Sequence, residues 1–283
     1  MPHRHLEAIM GVEESVIKHY SNGILEESLL AALRAGGKDP DHLHPDDLSV
    51  LDQFHIGGVE TALEVGRGAG ISGSSHVLDV GSGIGGPARV FAHAFGATVQ
   101  GIDLTPEFVA TATSLSARVG LGHQVSFTTG NATALPFEDA SFDVATMLHV
   151  GMNIRDKDKV FAEVARVLRP GGVFAVFDVM QMGGDEPDFP LPWATTEQTS
   201  FVQPPMAYSD AMEQAGLEVD TERSFRDAGI EFIERMIAAA QGAPSSSNFP
   251  ALRGPDGEAS TANLLAALKN HILAPVEIFA HKP

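Results

Sequence analysis

The sequence predicts an α/β protein built on a doubly wound, mostly parallel seven-stranded sheet, and three observations carry that expectation. From residue 77 onward, strand-length apolar runs alternate with helix-length amphipathic stretches. The runs are apolar almost without interruption, as strands covered on both faces must be. The first of them, Val77-Leu78-Asp79-Val80, enters the closely spaced glycines of Gly81-Ser82-Gly83-Ile84-Gly85-Gly86 and then Pro87. Glycine tolerates the positive φ of a tight strand-to-helix turn, and proline is pre-set for a first helical turn. Residues 1–70 read as an N-terminal helical cap and 71–283 as the sheet domain, with a lid insertion at about 180–206 after the fifth strand.

In the cap, Leu6, Ile9, Met10, Val16, Ile17 and Tyr20 recur at helical spacing, so a helix is expected over 5–20. A second is expected over 22–35, with Ile24, Leu25, Leu29, Leu30 and Leu33 on one face and Gly36-Gly37 as its stop. Helices at 45–52 and 57–69 follow, with Leu51-Asp52-Gln53-Phe54-His55-Ile56-Gly57-Gly58 between them. A preface this short and amphipathic should pack over the sheet. The alternation then runs through strand 77–80, helix 87–95, and strand 98–102 ending at Asp103. Thr105-Pro106-Glu107 supplies a cap, a first-turn proline and a first-turn acid for a helix to Val119. Strand 124–128 ends at Gly130-Asn131-Ala132, and strand 142–148 ends before His149. Val160, Phe161, Val164, Val167 and Leu168 form a helical stripe closed by the turn Arg169-Pro170-Gly171-Gly172. Strand 173–179 is apolar except for Asp178. Beyond the insertion, helices are expected at 208–215, 227–240 and 262–268, strands at 217–224 and 276–280, and an irregular stretch at 244–258.

Bulk composition narrows the function classes. A net charge of −19 argues against nucleic acid and against anionic membrane surfaces, both of which require a basic face. No run approaches the roughly 18 apolar residues of a membrane-spanning helix, and the N-terminus leads into no apolar signal core, so a cytoplasmic protein is expected. With no cysteine, disulfides, thiolate nucleophiles and thiolate metal sites are all absent. His3, His5, His42 and His44 form H-x-H pairs without a third ligand at suitable spacing, so no metal is expected. Ser82 and Ser141 lack the elbow context of an acyl-transfer nucleophile.

The glycine turn satisfies G-x-G-x-x-G, and Asp103, about 20 residues on, could bind the ribose of either NAD or S-adenosylmethionine. Three features separate these cofactors. Asp79 places a carboxylate at the strand end, which suits an ammonium group and disfavours a pyrophosphate. Gly130-Asn131-Ala132 follows the third strand, where a polar side chain can meet an adenine edge. Finally, Ala165-Arg166-Val167-Leu168-Arg169-Pro170-Gly171-Gly172-Val173 runs a helix into a sharp turn and a buried strand.

On these residues the stretch 77–179 resembles the catalytic domain of class I S-adenosylmethionine-dependent methyltransferases. The resemblance is to the small-molecule branch with ubiquinone/menaquinone C-methyltransferases, sugar O-methyltransferases, and sarcosine/dimethylglycine and phosphoethanolamine N-methyltransferases. Gly130-Asn131-Ala132-Thr133-Ala134-Leu135-Pro136-Phe137 is similar to the family's G-D-A-x-x-L-P-F segment, with Asn131 in place of the usual Asp. The resemblance implies S-adenosylmethionine as cofactor, S-adenosylhomocysteine as product, a small-molecule acceptor, and methyl transfer to nitrogen or oxygen. It implies a site in which Asp79, Gly81 and Gly83 meet the methionine moiety, Asp103 the ribose, and Leu104, Asn131 and Ala132 the adenine. Gln53 and His55 are expected near the methionine end. Candidates for the acceptor side are His149 as general base or cofactor contact, Asn153 where relatives place histidine, Asp178 as an orienting acid, and Tyr20 as a residue closing over the site. Three of these have a plainer alternative: for His149 a histidine hydrogen-bonded under the cofactor, for Asp178 a helix cap or a surface loop contact, and for Tyr20 the end of a packed helix. A nicotinamide-dependent oxidoreductase and a non-catalytic S-adenosylmethionine-binding module remain alternatives. The oligomeric state is left open, a homodimer among the options.

Overall fold

The computed structural model describes residues 25–49, 51–242 and 256–283, so the helix expected over 5–20 and Tyr20 lie outside the described residues. The cap begins with α1 (Leu25–Ala35), which buries Leu25, Leu29, Leu30 and Leu33 along one stripe. The next helix, α2, spans only Pro45–Leu48, against the 45–52 expected. His44 and Asp47 close a reciprocal capping box at its start, and the Ser49 hydroxyl donates to Asp46 O at its end. The chain leaves the helix so that Asp52 can be buried against a later element. The last cap helix, α3, spans Gly58–Gly68.

The sheet domain follows the expected alternation: β1 (His76–Val80), α4 (Gly86–Phe95), β2 (Thr98–Asp103), α5 (Pro106–Arg118), β3 (Val125–Thr129) and β4 (Phe142–Leu148). Then come α6 (Lys157–Val167), β5 (Leu168–Gln181), α7 (Pro205–Gln214), β6 (Glu218–Ser224), α8 (Arg226–Gly242), α9 (Gly257–Lys269) and β7 (Leu273–His281). The seven strands lie in the order β3-β2-β1-β4-β5-β7-β6. Strands β1 to β5 are mutually parallel, and β7 runs antiparallel to both β5 and β6. Successive residues of a strand face opposite sides, so Val77 joins a core that also contains the cap leucines and Phe91. Leu78 and Val80 join a second core with Phe161, Phe174 and Tyr208.

One further stretch differs from expectation. The Arg169-Pro170-Gly171-Gly172 turn is drawn into β5, because Gly171 N donates to Lys282 O and Lys282 N to Gly172 O. In the insertion after β5, Leu191, Trp193 and Ala194 are buried in the first core, and Phe201 N donates to Met152 O at 2.8 Å. The strand order reverses between β1 and β4, where the connections leave in opposite directions. In an open α/β sheet that point, at the carboxyl ends of the strands, is where ligands bind.

Candidate active site

The site is built on the turn after β1. Gly81, Gly83 and Gly85 adopt φ of 69°, 53° and 84°, in the left-handed region where a Cβ is disfavoured. Space requires glycine too: a Cβ on Gly81 would stand 2.5 Å from both γ-carbons of Val150, and one on Gly86 would stand 2.1 Å from Asp52 O. The turn is thus pressed between the segment after β4 and the cap. Ile102 O accepts from Gly81 N and Ser82 N at 2.8 and 3.0 Å, tying the turn to β2.

Two carboxylates frame this turn. Asp79, on β1, is fully enclosed and accepts from the Thr146 hydroxyl of β4 at 2.9 Å through Oδ1. Its Oδ2 has no hydrogen-bond partner. Burial, with the neighbouring Asp103 charge adding to it, pushes the Asp79 carboxyl up to about 7. Asp103, at the end of β2, accepts from Gly83 N (2.8 Å) through one oxygen and from Thr105 N (2.9 Å) through the other. Burial raises its pKa against the opposing pull of those two amides and of the Thr105 hydroxyl. A carboxylate has about four acceptor sites, so the residue can hold the turn and still accept from a further hydroxyl.

His149, directly after β4, has φ of 55°, uncommon for a residue with a Cβ and most often found where function demands it. Its ring stacks on Phe177 of β5 at 5.5 Å and meets His55 edge-on at 6.1 Å. Its Nε2 is buried without a partner, and burial holds its pKa well below the usual histidine value. From the cap, Gln53 Oε1 lies 3.0 Å from His55 Nε2, and burial lowers His55 to about 4. Phe54 is half exposed, tilted over Phe108 at 6.2 Å, with its ring edge 3.7 Å from where a Gly83 Cβ would be. Asp79 Oδ2, Ser82 Oγ and His149 Nε2 are three buried polar atoms around one turn that lack partners. Buried polar atoms are normally paired. Such a set fits a ligand carrying an ammonium group and hydroxyls better than one carrying a pyrophosphate.

The structure therefore brings Asp79, Gly81, Gly83 and Asp103 into one place and faces Gln53, His55 and His149 toward each other. Leu104 and Ala132 are half-buried at the ends of β2 and β3. Asn131, expected at the adenine edge, accepts through Oδ1 from Thr133 N and Thr133 Oγ1, both at 2.9 Å. Asn153 lies in the 3₁₀ turn Gly151–Asn153 that continues from His149. Asp178 is fully buried and turned inward: its Oδ2 accepts from the Tyr208 hydroxyl at 2.8 Å, close enough to Gly151 that a Cβ there would stand 2.3 Å away. It thereby links α7 to the segment after β4, and burial pushes its carboxyl up to about 6. Lys157 adds to that link, donating to Ile154 O and Phe201 O at 2.8 and 2.6 Å. Sequence reasoning missed Lys157 and Tyr208. A lysine at the start of a helix and a tyrosine in a helical stripe carry no distinguishing spacing. It also missed that His93 approaches His44 and Asp46, whose ligand atoms lie within 4.8 Å of one another at the exposed surface of α2 and α4. Among the described residues, no helix is long and apolar enough to cross a membrane.

Residues 78–176 match the family described as a methyltransferase domain. The chain is 40% identical over 119 residues to a sterol 24-C-methyltransferase of Eremothecium gossypii, covering 42% of this chain and 32% of that protein. It is 35% identical over 158 residues to the chloroplastic tocopherol O-methyltransferase of Arabidopsis thaliana, covering 54% and 44%. The aligned stretches thus span about a third to under a half of these relatives. Its fold is similar to that of geranyl diphosphate C-methyltransferase from Streptomyces coelicolor A3(2), solved with Mg²⁺, geranyl-S-thiolodiphosphate and S-adenosyl-L-homocysteine. The TM-score is 0.72 at 17% identity, over 96% of this chain and 98% of that one. The relatives include carbon as well as oxygen methyltransferases, which widens the nitrogen-or-oxygen expectation. By sequence, residues 78–176 are thus a methyltransferase domain, and the chain has the fold of class I S-adenosylmethionine-dependent methyltransferases.

Proposed function

We propose that the chain transfers a methyl group from S-adenosylmethionine to an oxygen or carbon atom of a small, largely apolar acceptor, with His149 taking up the released proton. The observation that carries this reading is the buried, unpartnered Nε2 of His149, held on a left-handed backbone beside the glycine turn.

S-adenosylmethionine supplies a methyl carbon activated by its sulfonium. What this chain contributes is alignment and the exclusion of water. Asp79 Oδ2 would hold the ammonium group and Asp103 the ribose hydroxyls. Gly81 and Gly83 let the cofactor lie against the backbone, with Phe54 covering it from the cap. A hydroxyl acceptor loses its proton as it attacks, and an alkene carbon loses one after attack; a tertiary amine has none to lose. His149 matches the first two. Its depressed pKa keeps the imidazole uncharged at neutral pH, free to accept a proton that Asn153, an amide, cannot take. The named substrates of the curated relatives, sterol and tocopherol, support an apolar acceptor. Phe177, stacked under His149, gives it an apolar floor.

The test offers labelled methyl donor with phenols and chromanols, with prenyl and sterol alkenes, and with amines. Label is expected in an O- or C-methylated product. In His149→Ala, turnover should fall about a hundredfold or more, well beyond any loss of S-adenosylhomocysteine affinity. Methylation of a tertiary amine at a rate that His149→Ala leaves unchanged would refute the assignment.

A further inference from the structure

A single buried guanidinium joins the two halves of the site. Arg89 sits on the inward face of α4 and is 2% exposed. Its Nη2 donates to Ile84 O at 2.7 Å, inside the glycine turn, and to Asp52 Oδ2 at 2.8 Å, in the cap. Its Nη1 donates to Ser116 Oγ at 3.0 Å and Ala112 O at 3.4 Å on α5. Asp52 is equally enclosed, and its other oxygen accepts from Gln53 Nε2 at 2.8 Å.

This last contact has a chemical consequence. A carboxylate takes only donors, so Asp52 decides which way the Gln53 amide faces. The –NH₂ must point at Asp52, and Oε1 must therefore point at His55 Nε2, 3.0 Å away. An amide oxygen accepts, so this contact favours the His55 proton on Nε2; the carbonyl of Ile56, also an acceptor, lies farther off, 3.3 Å from Nδ1. The ring so oriented lies 6.1 Å from that of His149, inclined to it by 65°.

We propose that Arg89 is a positioning residue of the methyl-transfer site: through Ile84 O it holds the cofactor turn, and through Asp52 and Gln53 it sets the orientation and tautomer of His55. The cofactor-binding turn and the histidine opposite His149 are thereby kept in register by one side chain. Lysine cannot substitute, because its ammonium lacks the rigid planar fork that reaches both elements at once. The proposal rests on the functional reading above only in calling this place a methyl-transfer site; the Arg89–Asp52–Gln53–His55 chain stands apart from it.

Ring-nitrogen NMR of ¹⁵N-histidine-labelled protein tests the chain without any acceptor. In the wild type the His55 signal should show the proton on Nε2. In Gln53→Leu, which leaves the Arg89–Asp52 pair in place, that signature should be lost while the thermal midpoint stays within a few degrees. Arg89→Lys, checked for folding by circular dichroism, should lose the same signature and weaken S-adenosylhomocysteine binding at least tenfold by calorimetry. If His55 carries its proton on Nδ1 in the wild type, or keeps an unchanged Nε2–H signature in both variants, the proposal is overturned. It is also overturned if Arg89→Lys binds S-adenosylhomocysteine as tightly as the wild type. Should the wild type itself fail to bind S-adenosylhomocysteine, the cofactor reading falls, and the His55 spectra still decide whether Arg89 orients that ring.

Discussion

On the proposed reading, the carboxyl of Asp79 is the group whose titration should most directly report cofactor binding. Burial raises it from 3.8 to about 7, a shift of about three units, or about 4 kcal/mol between its two protonation states. The sign follows from proton counts. Between about pH 4 and 7 the folded chain holds a proton on Asp79 that the unfolded chain has released. Stability of the free protein therefore falls as pH rises through that window and stays low above it. A ligand ammonium at the unpartnered Oδ2 needs the carboxylate form. With a free-state pKa of about 7, the ionised fraction rises from about one in eleven at pH 6 to about three-quarters at pH 7.5. Affinity for S-adenosylhomocysteine should therefore increase about eightfold over that range, with proton release visible in buffers of different ionisation enthalpy. Asp79→Asn keeps the shape, removes the titration and loses a charged hydrogen bond of about 1.5–3 kcal/mol. It should bind about 10- to 100-fold more weakly at pH 7.5 with a flat pH profile. The free variant should be at least as stable as the wild type at pH 8, since it no longer buries a charge. Calorimetric titration at three pH values, paired with thermal melts, measures all of this. An Asp79→Asn variant that binds as tightly as the wild type with the same pH slope would refute the reasoning.

Two further outcomes follow from the supports of the site. Tyr208→Phe removes the 2.8 Å hydrogen bond to Asp178 in a fully buried setting; a loss of about 2 kcal/mol is expected, read as a drop of about 5 °C in the melting midpoint. Gly86→Ala places a Cβ 2.1 Å from Asp52 O, a backbone atom, so residues 51–56 must move. Its S-adenosylhomocysteine affinity should fall at least about tenfold while the circular-dichroism spectrum is retained, and unchanged affinity would show that the cap does not reach the site.

Much of this was legible in one dimension. The alternation of apolar strands with amphipathic helices specified the layers, because a strand covered on both faces admits few polar residues. The span 142–148 coincided with β4 to the residue. Asp79, the glycines and Asp103 could be read as one site because the turn after β1 and the end of β2 are neighbours in any parallel βαβ unit. Less visible were groups whose meaning depends on a distant partner. Arg89 looks like an ordinary helical arginine until Asp52, 37 residues away in sequence, is seen against it. Asp178 looked like a candidate for the acceptor because it interrupts an apolar strand; only the packing of α7 shows its carboxylate turned to Tyr208.

What the sequence by itself determined is therefore the sheet, the glycine turn and the class of cofactor that turn accepts, since these rest on local periodicity and on residues joined by short connections. The tertiary structure decided which side chains are left unsatisfied at that turn, how the cap is registered against it, and which acids are supports. Those are matters of burial and pairing between distant segments. A carboxylate or an imidazole acquires its pKa, its tautomer and its freedom to bind only when the surrounding chain has removed the water.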